Sequence, residues 1–202
     1  MRTIKTFQIS FDFETFKNKL LAWGNSKDET IFMDSNKNSN LYNSYEAILA
    51  VDAFTAIKTD HDKAFKELED YQSSTKDWLF GYLSYDLKND IESVDSSNED
   101  QLQFPELYFI QPKKIWFLKS DSIEAHYLNI VGDEIVRDFE DILDIKTTKY
   151  KAELLKFSPK WKKEDYIEKA KDILGHIHRG DLYEVNFCQE FYCENIKINP
   201  LA

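Results

Sequence analysis

Few residues of this chain have the types and spacing that chemistry requires. Asp34-Ser35 ends a short apolar run, and Tyr42-Asn43-Ser44-Tyr45 follows shortly after. A carboxylate, two hydroxyls, an amide and two aromatic rings are what an amino-acid ligand needs: acceptors for its ammonium, donors for its carboxylate and a wall for its side chain. On the residues alone, a capping turn followed by surface tyrosines is the plainer account of the same segment. His176 and His178 are two apart at a predicted helix end, where side chains do not face each other, so they make a poor metal pair. Cys188 and Cys193 have an odd separation on an alternating segment and point to opposite faces, so they neither pair nor share a metal. The five glycines have neither dinucleotide-binding nor P-loop spacing, and Gly-x-Ser-x-Gly is absent. With 37 Asp and Glu, paired carboxylates by themselves carry no information.

These groups need elements to hold them. Asp12 to Trp23 reads as a helix capped by Asp12, with Phe13, Phe16, Leu20 and Trp23 on one face and Gly24 at the stop. Ile31-Phe32-Met33 is a short buried strand leading into Asp34-Ser35, and Ala47 to Val51 is a second apolar run. Asp60 to Tyr71 is a helix with Ala64, Phe65, Leu68 and Tyr71 on its stripe, and Trp78 to Tyr85 is an aromatic strand interrupted by Gly81. Leu107 to Ile110, Lys114 to Leu118 and Ile123 to Leu128 read as successive strands separated by turns. Asp133 to Leu143 is a helix with Ile135, Val136, Phe139, Ile142 and Leu143 inward. Glu164 to His178 places Tyr166, Ile167, Ala170, Ile173, Leu174 and Ile177 on one helical face, with Gly180 at the C′ position. From Asp181 the period becomes two: Tyr183, Val185, Phe187 and Phe191 face one way and Glu184, Asn186, Cys188 and Glu190 the other, the pattern of a long strand. Strands in hairpin-like succession, punctuated by helices, predict an α+β fold with a largely antiparallel sheet flanked by helices.

Charge and composition narrow the function classes. The formal net charge is −11 and the densest basic run is only Lys160, Lys162 and Lys163, which argues against nucleic acid and anionic membranes as partners. No apolar run reaches the ~18 residues of a membrane span, and the N-terminus has no signal-peptide core. Two cysteines exclude a disulfide scaffold and fit a reducing, cytoplasmic setting.

Four segments, in order, resemble the chorismate-utilising enzymes. Tyr166-Ile167 through Gly180-Asp181-Leu182-Tyr183-Glu184-Val185-Asn186-Phe187-Cys188-Gln189-Glu190-Phe191 resembles that family's helix followed by Gly-Asp-(Ile/Cys)-Tyr-Gln-Val-Asn-Leu-(Ser/Ala)-Gln-Arg-Phe. Phe80-Gly81-Tyr82-Leu83-Ser84-Tyr85-Asp86-Leu87, with Glu92 after it, is similar to Gly-Tyr-x-x-Tyr-Asp-Leu-Gly-Arg-x-x-Glu. Phe32-Met33-Asp34-Ser35 is similar to the Leu-Leu-(Glu/Asp/His)-Ser element, and Phe104-Pro105-Glu106-Leu107 to the Leu-Pro-Asp/Glu element. Glu184, Phe187, Cys188, Glu190 and Lys88-Asn89 depart from those patterns. Tyr183 and Asn186 lean towards aminodeoxychorismate synthase component I, the p-aminobenzoate and folate branch, over anthranilate synthase component I of the tryptophan branch.

The resemblance implies the N-terminal part of the anthranilate synthase component I-like fold. Residues 1–144 are then an N-terminal α+β region, 145–163 a connection and 164–202 the truncated start of the chorismate-binding region. It also implies a transferase that joins glutamine-derived ammonia to chorismate, giving 4-amino-4-deoxychorismate, with a glutamine amidotransferase subunit as partner and Mg²⁺ as cofactor. The catalytic and Mg²⁺-binding groups are expected after Ala202, so no catalytic or metal residue is placed in this stretch, which is expected to be inactive alone. What the resemblance does place is part of a tryptophan pocket: Ser35, Tyr42, Asn43, Ser44 and Tyr45, with Asp34 standing where the anthranilate branch has Glu. Half of that pocket implies weak tryptophan binding, and a non-catalytic amino-acid-binding module is the reading outside the enzyme class.

Overall fold

A computed structural model describes residues 1–8, 12–38, 44–60, 62–92, 94, 100–147 and 154–198. The chain divides into two compact units, Met1–Thr147 and Thr148–Ala202. Among the described residues, no helix is long and apolar enough to cross a membrane.

The first unit is α+β. In chain order it contains β1 (Arg2–Gln8), α1 (Phe13–Gly24), β2 (Thr30–Asp34), β3 (Ala47–Thr59), α2 (Ala64–Thr75), β4 (Phe80–Leu83), β5 (Leu107–Leu118), β6 (Ser122–Leu128) and α3 (Ile135–Asp144). The strands form one antiparallel sheet in the order β1-β6-β5-β3-β2, and β4 pairs with β5 beyond the end of β6. Helix α1 begins where the Asp12 side chain accepts the Thr15 N–H at 2.8 Å. It buries Phe16, Leu20 and Trp23 against Leu49, Val51, Trp116, Ala125 and Tyr127, the residues that period-two alternation puts on one face of the sheet. Helix α3 packs into the same core through Ile135 and Ile142.

Several sequence expectations change here. Val136 was expected inward but is 41% exposed, and Asp138 is the buried residue instead. The reason is Lys114, which is buried beneath α3: its Nζ lies 2.6 Å from Asp138 Oδ2 and 2.7 Å from Glu134 Oε2, and Tyr127 donates to Asp138 at 3.0 Å. A buried charge is tolerated when it is paired and hydrogen-bonded. The two strands expected at 107–110 and 114–118 are one continuous strand, β5, running through Pro112. Proline is accommodated because the facing strand β3 has a bulge between Ala53 and Thr55. On its other side, β5 pairs with β4 over Leu107–Ile110 and with β6 over Lys114–Leu118. Arg2 serves the gap between them, donating to the carbonyls of Pro112 at 2.7 Å, His126 at 3.0 Å and Lys113 at 3.4 Å while pairing with Asp77 at 2.8 Å. Strand β1, which supplies Arg2, has no counterpart in the sequence reading.

The second unit holds α4 (Lys163–Arg179) and a short antiparallel pair, β7 (Ser158–Pro159) with β8 (Phe191–Tyr192). Helix α4 ends in a Schellman motif: Gly180 adopts φ 83°, its N–H reaches Ile177 O, and the Asp181 N–H reaches His176 O. The long strand expected from Asp181 is not formed, and only Phe191–Tyr192 is paired. Alternation selects which side chains share a face, but a strand also needs a partner for its backbone groups. Within this unit the described residues offer only Ser158–Pro159.

Candidate functional site

The residues singled out in the sequence are held at the ends of β2 and β3. Asp34 closes β2 on the same side as Phe32, facing α1. There Lys17 Nζ meets its Oδ2 at 2.8 Å, Glu14 lies 3.2 Å from the same Nζ, and the Asn36 N–H donates to Oδ1 at 2.8 Å. Burial opposes ionisation of the Asp34 carboxyl, but the hydrogen bonds from Lys17 and Asn36 and the charge of Lys17 outweigh it and hold the group below its ordinary value. Asp34 is therefore an ionised acceptor already engaged by a cation.

Ser35 is bound to β3. Its N–H donates to the Glu46 carbonyl at 2.9 Å and its Oγ donates to Glu46 Oε2 at 3.1 Å. Tyr45, just before Glu46, lays its ring 4.7 Å from that of Phe117, on the sheet face opposite α1. Ser44 is exposed beside it. Tyr42 and Asn43 lie outside the described residues. The structure thus joins Ser35 to Glu46, and Tyr45 to Phe117, while Asp34 turns to the helix side.

On the face that carries Tyr45, further groups gather that the sequence reading did not include. Trp78 lies 5.1 Å and His126 4.8 Å from the Phe117 ring. Glu124 contacts Lys119 at 2.6 Å and His126 at 3.2 Å, and Lys119 stands 5.8 Å from the Tyr45 ring. The hydrogen bond from Lys119 holds the Glu124 carboxyl below its ordinary value against partial burial. In this arrangement Phe117 is fully buried beneath the other groups and Lys119 is already held by Glu124, so among the Phe, Tyr and Trp side chains only Tyr45 and Trp78 offer partly exposed rings. A signal for part of it was present: Phe117 with Lys119, and Glu124 with His126, are two apart on predicted strands and so share a face.

The other motif segments serve structural ends among the described residues. Phe80 and Leu87 are buried, Ser84 Oγ donates to Glu106, and Lys88 pairs with Asp86 at 2.7 Å. Asp90 accepts the Lys63 N–H at 2.7 Å and the Phe65 N–H at 3.3 Å, capping α2 from a distance. In the second unit, Tyr166 stacks on Phe187 at 4.7 Å, Asp181 binds Arg179 and His176, each at 2.8 Å, and Glu190 pairs with Lys160 at 2.8 Å. Tyr183 is 94% exposed, and Cys188 and Cys193 are free thiols. No three His, Cys, Asp or Glu side chains among the described residues come together in a way that could hold a metal ion.

Comparison with known proteins settles the family, because the family described as chorismate binding enzyme matches residues 16–202. The chain is a member of the chorismate binding enzyme family. Sequence comparison with curated proteins gives no match. Among solved structures, the chain is similar to MenF, the menaquinone-specific isochorismate synthase from Escherichia coli, at 13% identity and a TM-score of 0.38. That likeness covers 86% of this chain and 38% of MenF, so the chain spans well under half the length of that enzyme. The chorismate binding enzyme match takes in all four motif segments, from Phe32 to Phe191.

Proposed function

We propose that this chain is part of an aminodeoxychorismate synthase, which replaces the C4 hydroxyl of chorismate with ammonia to give 4-amino-4-deoxychorismate. The observation that carries the reading is the Gly180–Phe191 segment of a chorismate binding enzyme, in which Tyr183 and Asn186 stand as in the p-aminobenzoate branch. A glutamine amidotransferase supplies the ammonia and Mg²⁺ binds the chorismate carboxylate in the whole enzyme; both belong to this proposal. The role of the described first unit is to support and regulate. Its candidate site for an aromatic amino acid such as tryptophan is Ser35 and Tyr45, with Lys119 5.8 Å from the Tyr45 ring.

The test is product analysis. The native gene product is incubated with chorismate, ammonium and Mg²⁺, and products are separated by mass and fluorescence. The expected product is 4-amino-4-deoxychorismate, and the 202-residue chain alone is expected to give none. Fluorescent anthranilate would place the protein in the tryptophan branch and overturn the reading. Turnover by the 202-residue chain alone would overturn the assignment of the reacting groups to residues beyond it.

A further inference from the structure

Helix α2 is held to the sheet differently from α1. Of its 12 residues only Ala64 is buried, Leu68, Tyr71 and Thr75 are half-buried, and the others are exposed. Helix α1, of the same length, buries Phe16, Leu20 and Trp23. The apolar hold on α2 is about one turn wide: Ala64, with Leu68 beside it, packs on Ile57, Leu87, Leu107 and Phe109. Past that turn is a cavity of about 660 Å³, lined by Leu68 and Gln72 of the helix, by Lys76-Asp77-Trp78-Leu79 and by Phe109 of β5. The last turn, Ser73-Ser74-Thr75, is made of weak helix formers, and an isolated helix of this length is marginal in water.

Polar ties supply the rest. Lys63 at the helix start makes no side-chain cap; instead Asp90, at the end of a 3-10 turn over Tyr85–Asp90, accepts the Lys63 N–H at 2.7 Å and the Phe65 N–H at 3.3 Å. Further along, the Tyr71 hydroxyl lies 2.8 Å from Thr55 Oγ1 of β3, and Thr55 donates to Gln111 Oε1 at 3.1 Å. Just past the helix, Asp77 is fixed to the sheet by Arg2 and Gln111, each at 2.8 Å. The residues through which the chain enters and leaves α2, Lys63 and Lys76, are both left-handed, with φ 59° and 49°. That conformation is strained for any residue with a Cβ, and opening the helix relieves it.

We propose that α2 is a strap that opens from the sheet in one piece, turning on Lys63 and Lys76, while the rest of the first unit stays folded. Asp90 and Tyr71 are its latches, and Asp77 remains on the sheet side of the hinge. Opening lifts Ala64 and Leu68 off Leu107 and Phe109 and turns the cavity into an apolar cleft. Local opening of this kind belongs to elements with few buried apolar contacts. Each latch joins two described residues of the first unit, so the proposal is independent of the reaction that the whole enzyme performs.

The experiment is amide hydrogen exchange on the 202-residue chain, under conditions where the rate follows the opening equilibrium. Amides 68–72 report on α2, and amides 115–118 of β5 report on global unfolding. Asp90→Ala is expected to speed exchange at 68–72 roughly tenfold, and Asp90→Asn, which keeps one acceptor oxygen, should recover part of that. Tyr71→Phe should speed it roughly fivefold. Lys76→Gly removes strain at the hinge and should slow it roughly threefold. Leu20→Ala weakens a different core cluster and touches no residue of α2. In that variant exchange at 115–118 should rise roughly thirtyfold or more, while exchange at 68–72 should change by less than about twofold. If Leu20→Ala fails to fold, urea below the unfolding transition makes the same test on the unaltered chain, with steep acceleration at 115–118 and little at 68–72. Equal acceleration of both segments by Leu20→Ala or by urea overturns the proposal, because α2 then opens only with the whole fold. No response of α2 to Asp90→Ala, or faster exchange in Lys76→Gly, also overturns it.

Discussion

The two units obey the same local rules and reach different ends. In the first, α1 and α3 bury their apolar stripes on the sheet, and even Lys114 and Asp138 are taken into the interior. In the second, α4 has an equally regular stripe, a first turn with Glu164 and Asp165 and a Schellman end, yet none of its residues is buried. Spacing, capping and charge placement make a helix; whether its apolar face is covered depends on elements elsewhere in the chain. Stability should therefore be concentrated in the first unit, and variants of the two units separate that expectation into measurable parts.

The largest effect should come from Asp138→Ala. The substitution leaves the Lys114 ammonium with Glu134 alone and the Tyr127 hydroxyl without its acceptor, both in a region where the Lys114 and Asp138 side chains are 6% and 3% exposed. A buried pair broken on one side costs about 3–5 kcal/mol, to be read from urea unfolding followed by tryptophan fluorescence. Lys114→Met combined with Asp138→Leu should recover most of that loss, because no uncompensated charge is then buried. A loss within ~0.5 kcal/mol for Asp138→Ala would put this cluster among surface ion pairs and remove the contrast between the units.

A smaller effect, and one that depends on pH, belongs to Arg2 and Asp77. Burial of the Asp77 carboxyl opposes ionisation, but the hydrogen bonds from Arg2, Gln111 and the Trp78 N–H outweigh it and hold the group below its ordinary value. A carboxyl depressed in the folded state gives stability that is complete above its unfolded value. That stability is lost as pH falls through the folded value. Stability should thus fall on acidification below about pH 4 partly through this pair, and Asp77→Asn should flatten that limb while leaving the neutral region lower. An unchanged acid limb in Asp77→Asn would mean that the Arg2 bonds to the Pro112, Lys113 and His126 carbonyls hold the sheet gap without the ion pair.

How much of this was legible in the sequence follows the range of the interaction. Asp12 with Thr15, the Phe16-Leu20-Trp23 stripe and the Gly180 end are decided within a turn or two of helix, and the sequence reading and the structure agree on them. Strand β1 was not legible because Arg2, Thr3, Lys5 and Thr6 make it polar, as suits an edge strand, and the role of Arg2 exists only once β5 changes partner. The turn expected between the strands at 107–110 and 114–118 holds Pro112, whose tolerance within β5 rests on a bulge in another strand. At the candidate site, the side to which Asp34 points follows from Phe32 two residues earlier. The stacking of Tyr45 on Phe117 joins residues far apart in the chain, and no local spacing encodes it.

The smallest effect, that of Leu174→Ala set beside its counterpart in α1, sharpens the comparison most directly. Leu20 in α1 is 0% exposed and Leu174 in α4 is 51% exposed, and both occupy the apolar stripe of a regular helix. Leu20→Ala opens a cavity in a packed core and should cost about 2–5 kcal/mol. Leu174→Ala removes a half-exposed side chain, leaves no cavity and slightly favours helix, so the change should stay within about 0.5 kcal/mol. Parallel urea titrations of the two variants in the 202-residue chain decide the matter. Equal losses would mean that the α4 stripe is covered in solution, and the difference between the units would then lie in how a face is buried rather than in whether it is.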